Sequence, residues 1–178
     1  MKILFKQFSL KHPSGDHLTL LVAYNSFKNH EDDKDWVKEH YLNTRTLKSS
    51  EDVRKQLQNL ITKMGVKVPQ SNNFDIEFTP RKVEKLTKCI LEGYFSHVAH
   101  KEPQGFYKTV KDHQIVLIHP SSVLDEKPIW VLYHEFVLTN QNYIRTVTKL
   151  NGKWLLELSS NINFYTILLY NFISHLLM

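Results

Sequence analysis

The spacing of apolar positions changes once along this chain, near residue 97. Before it, apolar residues recur every three to four positions, the period of a helix that buries one face. Leu18, Leu21, Val22, Tyr24 and Phe27 share such a face, and Ser14-Gly15-Asp16 offers a start. Lys34 to Tyr41 reads as a short second helix carrying Trp36, Val37 and Tyr41. A third helix is predicted from Ser49-Ser50-Glu51-Asp52, where Ser49 and Asp52 stand in capping-box spacing. Its apolar stripe is Val53, Leu57, Leu60, Ile61 and Met64, and Gly65 follows as the terminating residue. Residues 66–78 contain Pro69 and Ser71-Asn72-Asn73 and read as a loop. Thr79-Pro80 sets a capping hydroxyl before a proline at the first helical position. The fourth helix predicted there runs to about Phe95, with Val83, Leu86, Ile90 and Tyr94 inward.

After residue 97 the period becomes two. Gly105 to Val110 and Gln114 to His119 read as strands around a tight turn, Lys111-Asp112-His113. Pro120-Ser121-Ser122 begins a short turn or helix. Ile129 to Thr139 is a long β-rich strand, Asn140-Gln141-Asn142 a turn, and Tyr143 to Thr148 the hairpin partner. Trp154 to Leu158 reads as a short closing helix. Four or five strands in hairpins fit a small barrel better than a parallel sheet. The expected class is therefore α+β, a helical subdomain followed by a small antiparallel β-barrel.

Composition narrows the function more than the fold. Of 178 residues, 42% are hydrophobic and 23% charged, as in an ordinary globular protein. The net charge is +5, and residues 46–100 carry much of the excess, nine basic against six acidic side chains. That balance suits a nucleic-acid partner without identifying one. Cys89 is the single cysteine, which excludes a disulfide framework and a four-thiolate zinc site. On the fourth helix it reads as a small buried hydrophobe. The apolar run near the N-terminus is three residues long, too short for a secretory core segment, so a cytosolic or nuclear location is expected.

The search for catalytic chemistry finds none. There is no G-x-x-x-x-G-K-[ST] phosphate loop, no G-x-G-x-x-G and no G-x-S-x-G elbow. Ser121 and Ser122 follow His119 and read as turn residues. His97 and His100 lack a second ligand pair at zinc spacing. Arg81, Lys82, Lys85 and Lys88 spread around the fourth helix, as a solvated face or as a nucleic-acid surface. Tyr107, Lys108, Thr109 and Lys111 at the first hairpin, with Tyr133, Tyr143, Arg145 and Lys149 on later strands, interleave aromatics with cations. Single-stranded nucleic acid needs that combination of stacking faces and phosphate neutralisation; the same aromatics equally suit a core.

Five blocks carry a resemblance: GDHLTLLVAYNSF (15–27), NTRTLKSSEDVRKQL (43–57), LEGYFSHVAH (91–100), TVKDHQIVLIHPSSVL (109–124) and WVLYHEFVLTNQNYIRTVT (130–148). Together they resemble the C-terminal region of DEAH-box RNA helicases. The last two blocks most resemble the member that disassembles the intron-lariat spliceosome, works in ribosome biogenesis and is activated by G-patch proteins. The resemblance implies the end of a helical-bundle or ratchet domain (15–96) and an oligonucleotide-binding (OB) fold barrel (97–160). An unmatched segment (1–14) and an atypical apolar tail (161–178) flank them. It implies an RNA-binding accessory region in pre-mRNA splicing, found in the nucleus and also in the nucleolus and cytoplasm. The chain itself would be no enzyme and hold no cofactor; ATP and Mg would sit in the parent's RecA-like domains.

The implied partners are RNA, the parent's RecA-like and winged-helix domains, and G-patch or spliceosomal proteins, with no membrane. A docking module that binds proteins and touches no RNA is the alternative. Lys111 matches a position expected to reach RNA phosphate; Lys108, Thr109, His119 and Arg145 are the further RNA-binding candidates. Trp130 and Tyr133 are expected in the barrel core. Arg45 and Lys48 match the bundle, in packing or in RNA contact. The tail, rich in Ile, Leu, Phe, Tyr and Asn, reads as translated intron or frame-shifted sequence and is shorter than a membrane span.

Overall fold

The computed structural model describes residues 10–67, 74 and 77–159. The tail at 161–178, residues 1–9 and most of the loop at 66–78 lie outside the described residues. Four helices come first: α1 (Asp16–Asn29), α2 (Lys34–Glu39), α3 (Thr44–Lys63) and α4 (Pro80–Gly93). Five strands follow: β1 (Val98–Lys101), β2 (Tyr107–Thr109), β3 (Ile115–Ile118), β4 (Trp130–Leu138) and β5 (Asn142–Leu150). A last helix, α5 (Gly152–Ser159), ends the described chain. The class is α+β, with helices followed by a closed barrel of order β1-β2-β3-β5-β4. Four of the strand pairings are antiparallel; β3 and β5, however, run parallel, with Leu117 opposite Tyr143 and Ile118 opposite Ile144. Since β3 and β5 are not joined by a hairpin, the link through β4 is free to bring them in side by side.

Two apolar clusters hold the barrel. Alternate residues point inward: Ala99, Tyr107, Val116, Val131, Tyr133, Ile144 and Val147, joined by Leu124. The opposite faces of β1, β4 and β5 supply Val98, Trp130, Leu132 and Leu150, which pack under Leu91 of α4 and Leu155 of α5. Trp130 and Tyr133 are thus core residues, as expected. On β5 the alternation breaks at Thr146, whose φ of 54° lies in the left-handed region. Ile144 and Val147 both face inward although three residues apart.

Helix α1 is fixed to the barrel by its first residues. Gly15 has φ 121°, and a Cβ there would lie 2.3 Å from the Val147 carbonyl oxygen, so a side chain is excluded. The Asp16 carboxylate accepts the backbone N–H groups of Val123 (2.7 Å) and Val147 (2.6 Å). Leu18, Ala23 and Phe27 are buried, whereas Leu21 and Val22 are only half-buried. Helix α2 is capped by Asp33, which accepts the Trp36 N–H. It ends at Glu39, short of Tyr41, which is exposed with φ 52°.

Three sequence expectations fail for identifiable reasons. Helix α3 begins at Thr44, because the Asn43 side chain accepts the Thr46 N–H at 3.0 Å and caps the helix nearly two turns before Ser49. Helix α4 stops at Gly93 and buries Thr87 and Leu91; Cys89, two residues or some 200° round from Leu91, is exposed rather than buried. Strand β1 has no counterpart in the sequence reading, because four residues after a helix are too few to display a period of two.

Candidate nucleic-acid interface

Strands β2 and β3 form a hairpin whose tip is Lys111-Asp112-His113, with His113 at φ 54°. Tyr107 and Thr109 turn into the barrel, so Lys108 between them points out, opposite His100 and Ile115. On β3 the alternation leaves Ile115 and Leu117 outward and exposed while Val116 is buried. Tyr143 lies beside Leu117 across the parallel pairing. The outer face of the hairpin is therefore two cations around a short apolar strip, with a half-buried tyrosine at its edge. Among the described residues, neither Lys108 nor Lys111 has an acidic group within ion-pair distance.

The five candidates separate in the structure. Lys108 and Lys111 share the hairpin, and Lys111 is exposed at its tip. Thr109 does not face solvent: it is 1% exposed, and its hydroxyl accepts the Gln114 N–H at 2.9 Å, closing the turn. His119, half-buried at the end of β3, has Nδ1 2.8 Å from Ser121 Oγ and accepts the Ser121 N–H at 3.1 Å. These are turn contacts, and they leave the ring edge-on to Tyr143 at 5.3 Å. Arg145, on β5, pairs with Glu135 across the hairpin, Nη1 to Oε1 at 3.1 Å. That charge is already matched, which weakens it as a phosphate ligand.

Behind this face the barrel interior is filled by buried side chains. The Tyr107 hydroxyl donates to the Pro128 carbonyl at 2.8 Å, and burial pushes its pKa up to about 12. Burial, helped by the Asp112 charge, also raises the pKa of Tyr133. Neither ring is free to stack on a base. Ile115 and Leu117 escaped the sequence reading, because I-V-L-I resembles a fully buried strand; the cation at Lys108 on the paired strand was the available signal.

The family model described as "Oligonucleotide/oligosaccharide-binding (OB)-fold" matches residues 86–162, which contain all five strands, most of α4 and all of α5. An OB-fold domain of the kind found in DEAH and RHA helicases is present, and it fits the C-terminal region of a DEAH-box helicase. It supports an accessory nucleic-acid-binding region. In OB folds the β2–β3 face and the adjoining loops bind oligonucleotides, which is where Lys108, Ile115 and Leu117 lie.

Proposed function

We propose that this chain is the RNA-binding accessory end of a DEAH-box helicase acting in pre-mRNA splicing, spliceosome disassembly and ribosome biogenesis in the nucleus. The observation that carries the reading is the outward face of the β2–β3 hairpin. Lys111 and Lys108 neutralise backbone phosphate there, while Leu117, Ile115 and Tyr143 offer apolar contact to unstacked bases. Phosphate contacts of this sort position a strand without reading its sequence, as suits an enzyme that moves along RNA. Catalysis, with ATP and Mg, belongs to RecA-like domains of the parent polypeptide; G-patch or spliceosomal proteins are its regulatory partners.

The test is fluorescence anisotropy of short poly-uridine and poly-adenosine RNAs over a range of salt concentrations. Binding of similar strength to both, falling linearly on a log–log plot against salt, is the expected result. Absence of RNA binding at low salt, with salt-insensitive capture of a defined helicase or spliceosomal protein, would establish the docking-module alternative instead.

A further inference from the structure

Arg81, Lys82 and Lys85 of α4 are exposed, and among the described residues none of them has a carboxylate within ion-pair distance. At about 100° per residue they stand about 80°, 180° and 120° round the helix from buried Leu91. That arc lies away from Val83, Leu86, Ile90 and Tyr94, which are half-buried.

The next charges along α4 show how a solvated helix face is matched. Glu84 and Lys88 are four residues apart and paired at 2.9 Å, and Lys88 also reaches Glu157 of α5 at 2.6 Å. Arg81 and Lys85 have the same spacing but like charge, which opposes the helix instead of supporting it. Glu92, exposed nearly two turns beyond Lys85, ends the run of cations. Three unmatched positive charges on one arc attract a polyanion. The arc carries no large apolar side chain, so it lacks the anchor of a protein interface and the apolar face of a membrane-surface helix.

Its place in the fold favours RNA. Leu91 of α4 and Val110 belong to one apolar cluster, and Val110 directly precedes Lys111 at the hairpin tip. The rise of the helix sets Lys85 about 9 Å and Arg81 about 15 Å along the axis from Leu91. The cations therefore lead away from the end of α4 that packs beneath the hairpin. We infer that Arg81, Lys82 and Lys85 form a second phosphate-binding face, which extends the RNA footprint from the barrel along α4. This face rests on the RNA-binding reading of the barrel, and it adds length without base preference, since phosphate contacts carry no sequence.

The test is fluorescence anisotropy of a poly-uridine RNA of about 16 nucleotides, the upper range for one OB fold, with the full chain over a range of salt. The triple variant Arg81→Gln, Lys82→Gln, Lys85→Gln removes the three charges and keeps good helix formers. Its control, Lys34→Gln, Lys38→Gln, Lys127→Gln, removes three exposed cations from α2 and the loop before β4. Circular dichroism and melting temperature should match the parent in both, because every substituted side chain is exposed. The α4 variant should reduce the salt slope by about 2, three contacts at about 0.7 each, and the control should leave it unchanged. Equal losses in the two variants overturn the inference and assign the effect to net charge. A parental slope in the α4 variant, where Lys111→Ala still lowers it, overturns the inference and spares the barrel. No RNA binding by the parent overturns both. Retention of poly-glutamate that the α4 variant abolishes, with the slope on RNA unchanged, overturns it in favour of an acidic protein partner.

Discussion

The Asp16 carboxylate ties together three pieces of chain that are distant in sequence: the start of α1, the segment at Val123 and strand β5. Both amides it accepts belong to buried residues, so no water is at hand to replace it. Asp16→Ala should cost about 3 kcal/mol in urea denaturation, since two buried donors lose their partner. Asp16→Asn retains one acceptor oxygen and should cost less. His17, next along, makes the fold sensitive to acid. Its Nδ1 lies 2.8 Å from Thr148 Oγ1, and among the described residues its buried Nε2 has no hydrogen-bond partner. Burial lowers the His17 pKa, with a further push from His134 and opposition from Asp16. The folded state thus binds fewer protons than the unfolded one, and stability rises with pH. The contribution is full above the ordinary value of 6.5 and is lost as pH falls through the folded pKa. Melting temperature should therefore fall less between about pH 7 and pH 5 in His17→Gln than in the parent; parallel curves for the two proteins would remove His17 as the cause. At the opposite end of the burial scale, Lys111→Ala should weaken RNA binding by about 1 kcal/mol and reduce the salt slope by about 0.7, equally for both RNAs. Lys127, exposed in the loop before β4, is the comparison, and Lys127→Ala should change neither quantity. An unaltered slope for Lys111→Ala would take the hairpin tip out of the interface.

Among the elements, the apolar stripes expected on α3 and α4 look alike in sequence, but the structure leaves Val53, Leu57, Leu60, Ile61 and Met64 exposed and Val83, Leu86, Ile90 and Tyr94 half-buried, and the apolar residue α4 buries is Leu91 instead. Leu91 of α4 is covered by Val98, Trp130, Leu132 and Leu155. Leu57 of α3 is exposed. Leu91→Ala should cost about 3 kcal/mol, whereas Leu57→Ala should stay within about 0.5 kcal/mol, both read by denaturant midpoint. Periodicity reports which side of a helix is apolar; it cannot say what, if anything, lies against it. The same limit governs the barrel. The long strands at 130–150 and the Lys111–His113 turn were legible, because both strands are long and rich in β-branched and aromatic residues and the turn is polar. The sidedness of Arg145 was not, because alternation shifts at Thr146, a β-branched residue in a left-handed conformation that sequence gives no reason to expect. Thr109 illustrates the converse error. Between Lys108 and Lys111 it reads as part of a polar tip, but its hydroxyl is spent closing that tip from inside. The helix caps at Thr79 and Asp33 involve only neighbouring residues, and Thr79, followed by Pro80, was the one legible in the sequence.

For the molecule as a whole, the barrel and its helical cover account for the described fold without a nucleotide-binding loop. The purified chain should show no ATP turnover with or without RNA; RNA-stimulated phosphate release above a heat-inactivated control would contradict the assignment of catalysis to a parent polypeptide. The clamp at Asp16 also has a bearing on how the protein is made. Gly15 bridges Thr148, and the Asp16 carboxylate holds the Val147 amide 131 residues away. During synthesis the strand that anchors α1 leaves the ribosome more than a hundred residues after α1 itself. Until then Gly15, Asp16 and His17 have no β5 to bind, and contacts of such sequence separation form slowly. Nascent chains stalled before β5 should remain open to protease across α1 and recruit chaperones, and release of a chain extending past α5 should close that window in one late step.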